Sequence, residues 1–215
     1  MYQLPENKIA FPPITLANSQ GMLAYGGDLS IERLVLAYQK GIFPWYAKDE
    51  EIIWWSPRPR MVLFPNEVKI SKSMRQLIRK NKYKITHNTA FEEVIKKCAT
   101  TNKRDNDDAW LHEEMQEAYI NLYKKGYAHS VEVWNDKKEL VGGLYFVQVL
   151  DNVISGESMF HTESNTSKLA FIHLAKYAEE TGIKLIDCQL YTPHLASLGA
   201  REIPIDIFMD FLKQK

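Results

Sequence analysis

Residues 129–160 read HSVEVWNDKKELVGGLYFVQVLDNVISGESMF, and their patterning decides the fold. Three apolar runs rich in β-branched and aromatic residues, His129–Trp134, Leu140–Leu150 and Val153–Phe160, predict strands. The polar connections Asn135–Glu139 and Asp151-Asn152 predict hairpin turns. Toward the C-terminus, Thr166 to Glu180 reads as a long helix that stops at Gly182, and a strand, Ile183–Leu190, follows. A short helix is expected near Pro193, and Pro204 suits the first turn of a final helix. Toward the N-terminus, Leu111–Lys125 predicts a helix ended by Gly126. Thr89 and Glu92 have capping-box spacing and open a helix toward Ala99. Lys72–Lys80 predicts another, with Met74, Leu77 and Ile78 on one face. Antiparallel hairpins followed by strand, helix, strand and helix give an α+β domain with a mixed sheet.

The first 60 residues differ in character, being rich in Gly, Pro and aromatics. Ser30 can cap a helix from Ile31 to Lys40, which Gly41 stops. Irregular stretches follow, Phe43-Pro44-Trp45 and then Trp54-Trp55-Ser56-Pro57-Arg58-Pro59-Arg60, whose X-Pro steps hold the chain extended. This predicts a small N-terminal domain over residues 1–61 and a larger domain over 62–215.

A chain of 215 residues that is 45% hydrophobic can bury a substantial core. Lys+Arg and Asp+Glu are both 27, so any nucleic-acid site must come from local clustering. Cys98 and Cys188 form no CxxC, and Cys188 reads as a core thiol; this usage suits a reducing cytoplasm. No signal peptide and no apolar run of membrane-spanning length is present, so a cytoplasmic location is expected.

Four features are candidates for chemistry. In Leu185-Ile186-Asp187-Cys188-Gln189-Leu190, strand alternation puts Asp187 and Gln189 on one face and Ile186, Cys188 and Leu190 on the other. An acid in an apolar strand is costly unless paired, so Asp187 is either satisfied by Arg or backbone donors or functional. Glu157, in Ser155-Gly156-Glu157-Ser158-Met159-Phe160, follows a Gly that permits close backbone approach, though alone it reads as part of a solvated face or as a strand-end salt bridge. Phe43, Trp45, Trp54, Trp55 and Trp110 suit inter-domain packing, with one or two free to stack on a base. Lys69, Lys72, Arg75, Arg79, Lys80, Lys82 and Lys84 fall in one acid-free segment, with Lys72, Arg75 and Arg79 on one helix face. That concentration of charge in a neutral protein is a footprint for phosphates. The histidines show no HxxxH or HExxH spacing, and no GxxxxGK[ST], GxGxxG or GxSxG occurs. Neither a metal nor a cofactor is expected.

An ordered set of runs carries a resemblance. They are Gly26-Gly27-Asp28-Leu29-Ser30, Gly41-Ile42-Phe43-Pro44-Trp45, the Trp54–Arg60 run, His129–Trp134 and Leu140-Val141-Gly142-Gly143-Leu144-Tyr145. Further on come Gly156–Phe160, Leu185–Gln189 and His194-Leu195-Ala196-Ser197-Leu198-Gly199-Ala200. Together they cover the chain from about residue 11 onward, and the sequence resembles the leucyl/phenylalanyl-tRNA–protein transferase family. The resemblance implies a GNAT-like acyltransferase domain behind a small N-terminal domain. It implies Leu- or Phe-tRNA as donor, an acceptor beginning with Arg or Lys, and a product destined for N-end-rule degradation. Asp187 and Gln189 fall on the family's catalytic pair; Glu157, Trp45, Trp110 and Tyr119 fall on positions tied to the donor's 3′ end and the reaction centre. Two stretches depart from the family's pattern: Ala109-Trp110-Leu111-His112-Glu113, and Thr192-Pro193 where an Asn-led polar pair is expected.

The implied reaction is aminolysis of an ester. Gln189, a poor base, would orient the amine by its carbonyl oxygen, and Asp187 would orient Gln189 and stabilise the developing ammonium. Glu157 would add to this field or bind the acceptor's cationic side chain. An apolar donor pocket is assigned to Leu144, Met159 and Leu169, and coarse discrimination between apolar groups extends the expectation to Met-tRNA. An acetyl-CoA-dependent acetyltransferase would need a Gly-rich turn at a helix start, whereas His161-Thr162-Glu163-Ser164-Asn165 has no Gly and an acid. A tRNA- or peptide-binding module without catalysis would leave Asp187 and Gln189 unexplained.

Overall fold

The structure, a computed structural model, describes residues 1–5, 8–101 and 110–213. Ala109, which opens one of the two departing stretches, lies outside the described residues. The elements begin with β1 (Tyr2–Gln3), β2 (Met22–Tyr25), α1 (Ile31–Gln39), β3 (Phe43–Pro44), β4 (Ile53–Trp55) and β5 (Arg60–Leu63). Next come α2 (Lys72–Lys80), β6 (Lys84–His87), α3 (Phe91–Thr101), α4 (Glu113–Lys124), β7 (Ala128–Trp134), β8 (Leu140–Leu150) and β9 (Val153–His161). The chain closes with α5 (Thr166–Glu180), β10 (Leu185–Gln189), α6 (Pro193–Ser197), β11 (Arg201–Ile203) and α7 (Ile205–Lys213).

Among the described residues there are two sheets, β1-β2-β4-β3 and β11-β5-β10-β9-β8-β7-β6. In the larger, only β9 and β10 pair in parallel, joined by α5 as a parallel crossover requires. The protein is therefore α+β with mixed sheets, as its patterning predicts. β8 explains why that run is apolar throughout. Leu144 and Phe146 enter one core cluster with α5, while Tyr145 and Val147 enter another with α1, α3 and α4. Both faces of the sheet are covered, so both phases of the alternation must be apolar. Gly142 is where α5 crosses most closely: a Cβ there would lie 2.4 Å from the Thr166 hydroxyl.

Local chemistry sets the boundaries. The Ser30 hydroxyl accepts the Arg33 N–H at the start of α1. Gly41, with φ of 70°, turns the chain after it at a point where a Cβ would meet the Phe208 ring of α7 at 2.7 Å. The β7–β8 turn is built by Asn135, whose Oδ1 accepts the backbone N–H groups of Lys137 and Glu139. The capping box expected at Thr89 does not form. Helix α3 starts at Phe91, and the Thr89 hydroxyl instead donates to the buried Glu132 carboxylate, which also takes the Thr86 and Ser130 hydroxyls. The sequence reading also misses β1 to β6 and β11, taking Phe43-Pro44-Trp45 and Trp54–Arg60 as irregular where β3, β4 and the start of β5 form, and it starts α4 two residues early.

Candidate active site

The pairing of β9 with β10 ends at Ser155 and Asp187, and beyond that point the two strands part. The gap is a cavity of about 300 Å³. Gly156, Glu157, Ser158 and Met159 line one wall, and Cys188, Gln189 and Leu190 the other. Leu144 and Tyr145 of β8 with Phe171 and Leu174 of α5 add apolar surface, and Phe43, Pro44, Trp45 and Trp110 complete the lining. Cys188 and Gln189 of β10 and Leu190 just after it all reach one cavity, which strict alternation forbids. Gln189 explains it: its φ is 63°, and the register against β5 shifts between Asp187 and Gln189. The shift is a bulge at the strand end.

Glu157 is the cavity's half-buried acid. Its Oε1 accepts the Gln189 carboxamide N–H at 2.9 Å, and its Oε2 accepts the Tyr119 hydroxyl at 3.0 Å. The Tyr119 hydroxyl lies 2.8 Å from that of Tyr38. Because Tyr119 directs its proton at Glu157, Tyr38 donates to Tyr119. Burial pushes the Glu157 carboxyl up to about 7, against the lowering effect of its hydroxyl donors. Burial likewise raises the Tyr38 and Tyr119 phenols, so both remain neutral donors. With its N–H groups directed at Glu157, the Gln189 amide leaves its carbonyl oxygen without a partner among the described residues.

The expectation that Asp187 and Gln189 act from one strand face is not met, because the bulge separates them. Asp187 is buried and takes two hydrogen bonds from the Arg60 guanidinium, and its Oδ1 also accepts the backbone N–H of Gln189 at 2.9 Å. It does not reach the Gln189 side chain. Leu169 is also displaced from its expected place: it is buried in the core beneath α5, while Phe171 and Leu174 of the same helix line the cavity. Tyr119 acts on the cavity through Glu157 and does not line it. Trp45 is 41% exposed and lines the cavity, whereas Trp54 is wholly buried, so the aromatic group divides between the site and the core.

Residues 62–213 match the family described as leucyl/phenylalanyl-tRNA protein transferase, and residues 27–58 match that family's N-terminal domain. The chain belongs to this transferase family. It is 51% identical over 215 residues to the leucyl/phenylalanyl-tRNA–protein transferase of Flavobacterium johnsoniae, covering 100% of both chains. It is 52% identical over 206 residues to that of Syntrophus aciditrophicus, covering 96% of this chain and 85% of the relative. Among solved structures it is similar to L-PGS from Bacillus licheniformis, with a TM-score of 0.43 at 13% identity over 81% of this chain and 57% of that one. It is also similar to a GCN5-related N-acetyltransferase from Kribbella flavida, with a TM-score of 0.40 at 12% identity over 77% and 58%.

Elsewhere in this transferase, Lys69, Lys72, Arg75, Arg79, Lys80, Lys82 and Lys84 are all exposed. The Ser71 hydroxyl caps α2 by accepting the Met74 N–H, and Met74 is buried with Leu77 and Ile78 packed beside it. The helix therefore turns its cations outward. Lys82 is the exception in charge, pairing with Glu163 at 3.1 Å. Among the described residues no group of three His, Cys, Asp or Glu could hold a metal ion, and no helix is long and apolar enough to cross a membrane. Sequence reasoning missed Arg60, Tyr38, Phe171 and Leu174. The signal for Arg60 was available: like Asp187, it is a single charge beside an apolar run, Met61-Val62-Leu63-Phe64.

Proposed function

We propose that this transferase moves Leu, Phe or Met from aminoacyl-tRNA to the α-amine of cytoplasmic proteins that begin with Arg or Lys, marking them for N-end-rule degradation. The observation that carries the reading is the pairing of Gln189 with Glu157 at the polar end of an apolar cavity. The donor side chain enters among Leu144, Met159, Phe171 and Leu174, with the terminal adenosine against Trp45 and Trp110. With the chain divided into residues 1–61 and 62–215, Phe43, Pro44 and Trp45 of the aromatic wall belong to the first part, and Trp110 and the reacting groups to the second.

The amine nitrogen attacks the ester carbonyl, so a C–N bond forms, the C–O bond to the ribose breaks, and a proton passes from the amine toward the leaving 3′-oxygen. The Gln189 carbonyl oxygen orients the amine. Glu157 accepts the proton, a task suited to a carboxylate titrating near 7. Holding the two substrates together supplies much of the acceleration, up to roughly 7–11 kcal/mol in ideal cases. The exposed cations of α2 bind tRNA phosphates. An acetyl-CoA reading has Glu163 against it. This acid lies before α5, where a pyrophosphate would sit, and the Tyr83, Asn135 and Lys82 donors hold it ionised, down at about 2.

The test is incubation with radiolabelled Phe-tRNA, acetyl-CoA and peptides beginning with Arg or Ala. Label should pass from Phe-tRNA to the Arg peptide alone. Acetylation, or equal labelling of the Ala peptide, refutes the reading.

A further inference from the structure

Arg60 stands at the head of β5, 1% exposed, and grips Asp187 with two parallel hydrogen bonds: Nε to Oδ1 at 2.7 Å and Nη2 to Oδ2 at 2.6 Å. Its guanidinium also lies 5.0 Å from the ring centre of Phe43 and 4.8 Å from that of Phe208. Nη1 is buried without a hydrogen-bond partner, so those ring faces are its compensation. Planarity, two bonds and aromatic contacts leave the guanidinium little freedom. The Asp187 carboxylate inherits that fixity and accepts the Gln189 N–H. Gln189 itself has φ of 63°, a region that L side chains occupy only when their surroundings impose it.

We propose that Arg60 and Asp187 are positioning residues: Arg60 fixes the Asp187 carboxylate, which holds the Gln189 backbone in its left-handed turn and so aims the Gln189 carboxamide into the cavity. Neither touches substrate. The inference rests on the reading of Gln189 as the group that orients the amine. Two further features support it. The bidentate bond neutralises Asp187, which makes that carboxylate an acceptor for a backbone N–H and a poor source of free charge. Phe43, which stacks on Arg60, also lines the cavity next to Pro44 and Trp45, so one guanidinium ties the aromatic wall to the reacting amide.

A buried ion pair replaced by apolar residues of similar volume commonly keeps or gains stability, which separates a positioning role from a structural one. The test is the double variant Arg60→Met, Asp187→Leu in the full chain, assayed with Phe-tRNA and an Arg-initiated peptide. It should fold with wild-type thermal stability, and kcat should fall by roughly 10²-fold, the scale of a misplaced reacting group. KM for Phe-tRNA should change by less than about threefold. Asp187 and Arg60 act on Glu157 with opposite sign, so removing both should leave the midpoint of the pH–rate profile in place. Arg60→Lys keeps the charge and loses the paired geometry. It should show an intermediate kcat and faster deuterium exchange at the Gln189 amide, and it decides the matter if the double variant does not fold. A wild-type kcat in the double variant, a rise in KM with kcat unchanged, or wild-type kcat and exchange protection in Arg60→Lys overturns the proposal. Gln189→Ala is the control. If it is fully active, the reading of Gln189 has failed; if it is inactive while the double variant is active, the positioning role alone has failed.

Discussion

Glu157 takes its hydrogen bonds from two neutral groups, an amide and a phenol, in a setting where burial works against its charge. Its folded-state carboxyl titrates at about 7, against an ordinary value of 4.5. The folded protein therefore binds the proton more tightly than the unfolded chain. That contribution to stability is fully present below about 4.5 and is lost as pH rises through about 7. The difference amounts to about 3 kcal/mol across this window. Glu157→Gln keeps the shape and cannot ionise, so between pH 5 and 8 its stability should hold while that of the wild type falls, measured by urea denaturation across the range. The same titration governs the rate. In the proposed mechanism, single-turnover transfer with Phe-tRNA prebound should rise with pH through about 7, as the Glu157 carboxylate forms, and again through about 8, as the attacking amine becomes neutral. In Glu157→Gln the limb near 7 should vanish, leaving the rise of the amine, and the rate at high pH should drop by roughly 10²–10⁴-fold. An unchanged pH–rate profile in that variant would remove Glu157 from proton transfer.

Helix α2 shows what a short element can present when its anchoring is apolar. Met74 fixes it to the core, and Lys72, Arg75 and Arg79 face outward. Changing these three to Ala should weaken tRNA binding and flatten the dependence of log affinity on log salt, by roughly 0.7–0.9 of slope for each phosphate no longer neutralised. Binding of an aminoacyl-adenosine, which lacks the phosphates, should stay within about twofold. Equal losses for both ligands would place the tRNA backbone elsewhere. Lys82 is left out of the set because Glu163 already pairs with it. The elements legible in the sequence are those with long periodic runs: α2, β8 and α5 begin and end where their patterns do. β1 to β6 and β11 were not legible, since strands of two to four residues carry too little alternation to register. The site divides in the same way. Asp187 stands out as an acid in an apolar strand, whereas Glu157 is singled out only by the family resemblance. The bulge at Gln189 does not stand out, because nothing in a glutamine foretells a left-handed backbone. The partner that neutralises Asp187 lies 127 residues earlier, a pairing that only the fold creates.

At the scale of the molecule, the N-terminal sheet has no core to itself. Leu23, Leu34, Tyr38 and Trp54 belong to the same apolar cluster as Val94, Met115, Tyr119 and Tyr145. The ring of Phe43, from that sheet, shares the Arg60 guanidinium with Phe208 of α7. Separating the parts would expose buried faces on both sides, so the two family segments should unfold as one unit. Trp45, Trp54 and Trp55 lie in or beside the N-terminal sheet, whereas α3, α4 and α5 supply much of the helical signal. Urea unfolding followed by tryptophan fluorescence and by far-ultraviolet circular dichroism should therefore give coincident transitions. Leu34→Ala and Met115→Ala, one on each side of the shared cluster, should each destabilise the chain by roughly 2–5 kcal/mol and move both probes together. If Leu34→Ala shifts the fluorescence transition and leaves the dichroism transition in place, the N-terminal part is a separate folding unit. The cavity wall carrying Trp45 could then move independently of Glu157 and Gln189. Coincidence under both substitutions means that the aromatic wall and the reacting groups are held in one cooperative structure, which an enzyme that must hold an ester and an amine in register requires.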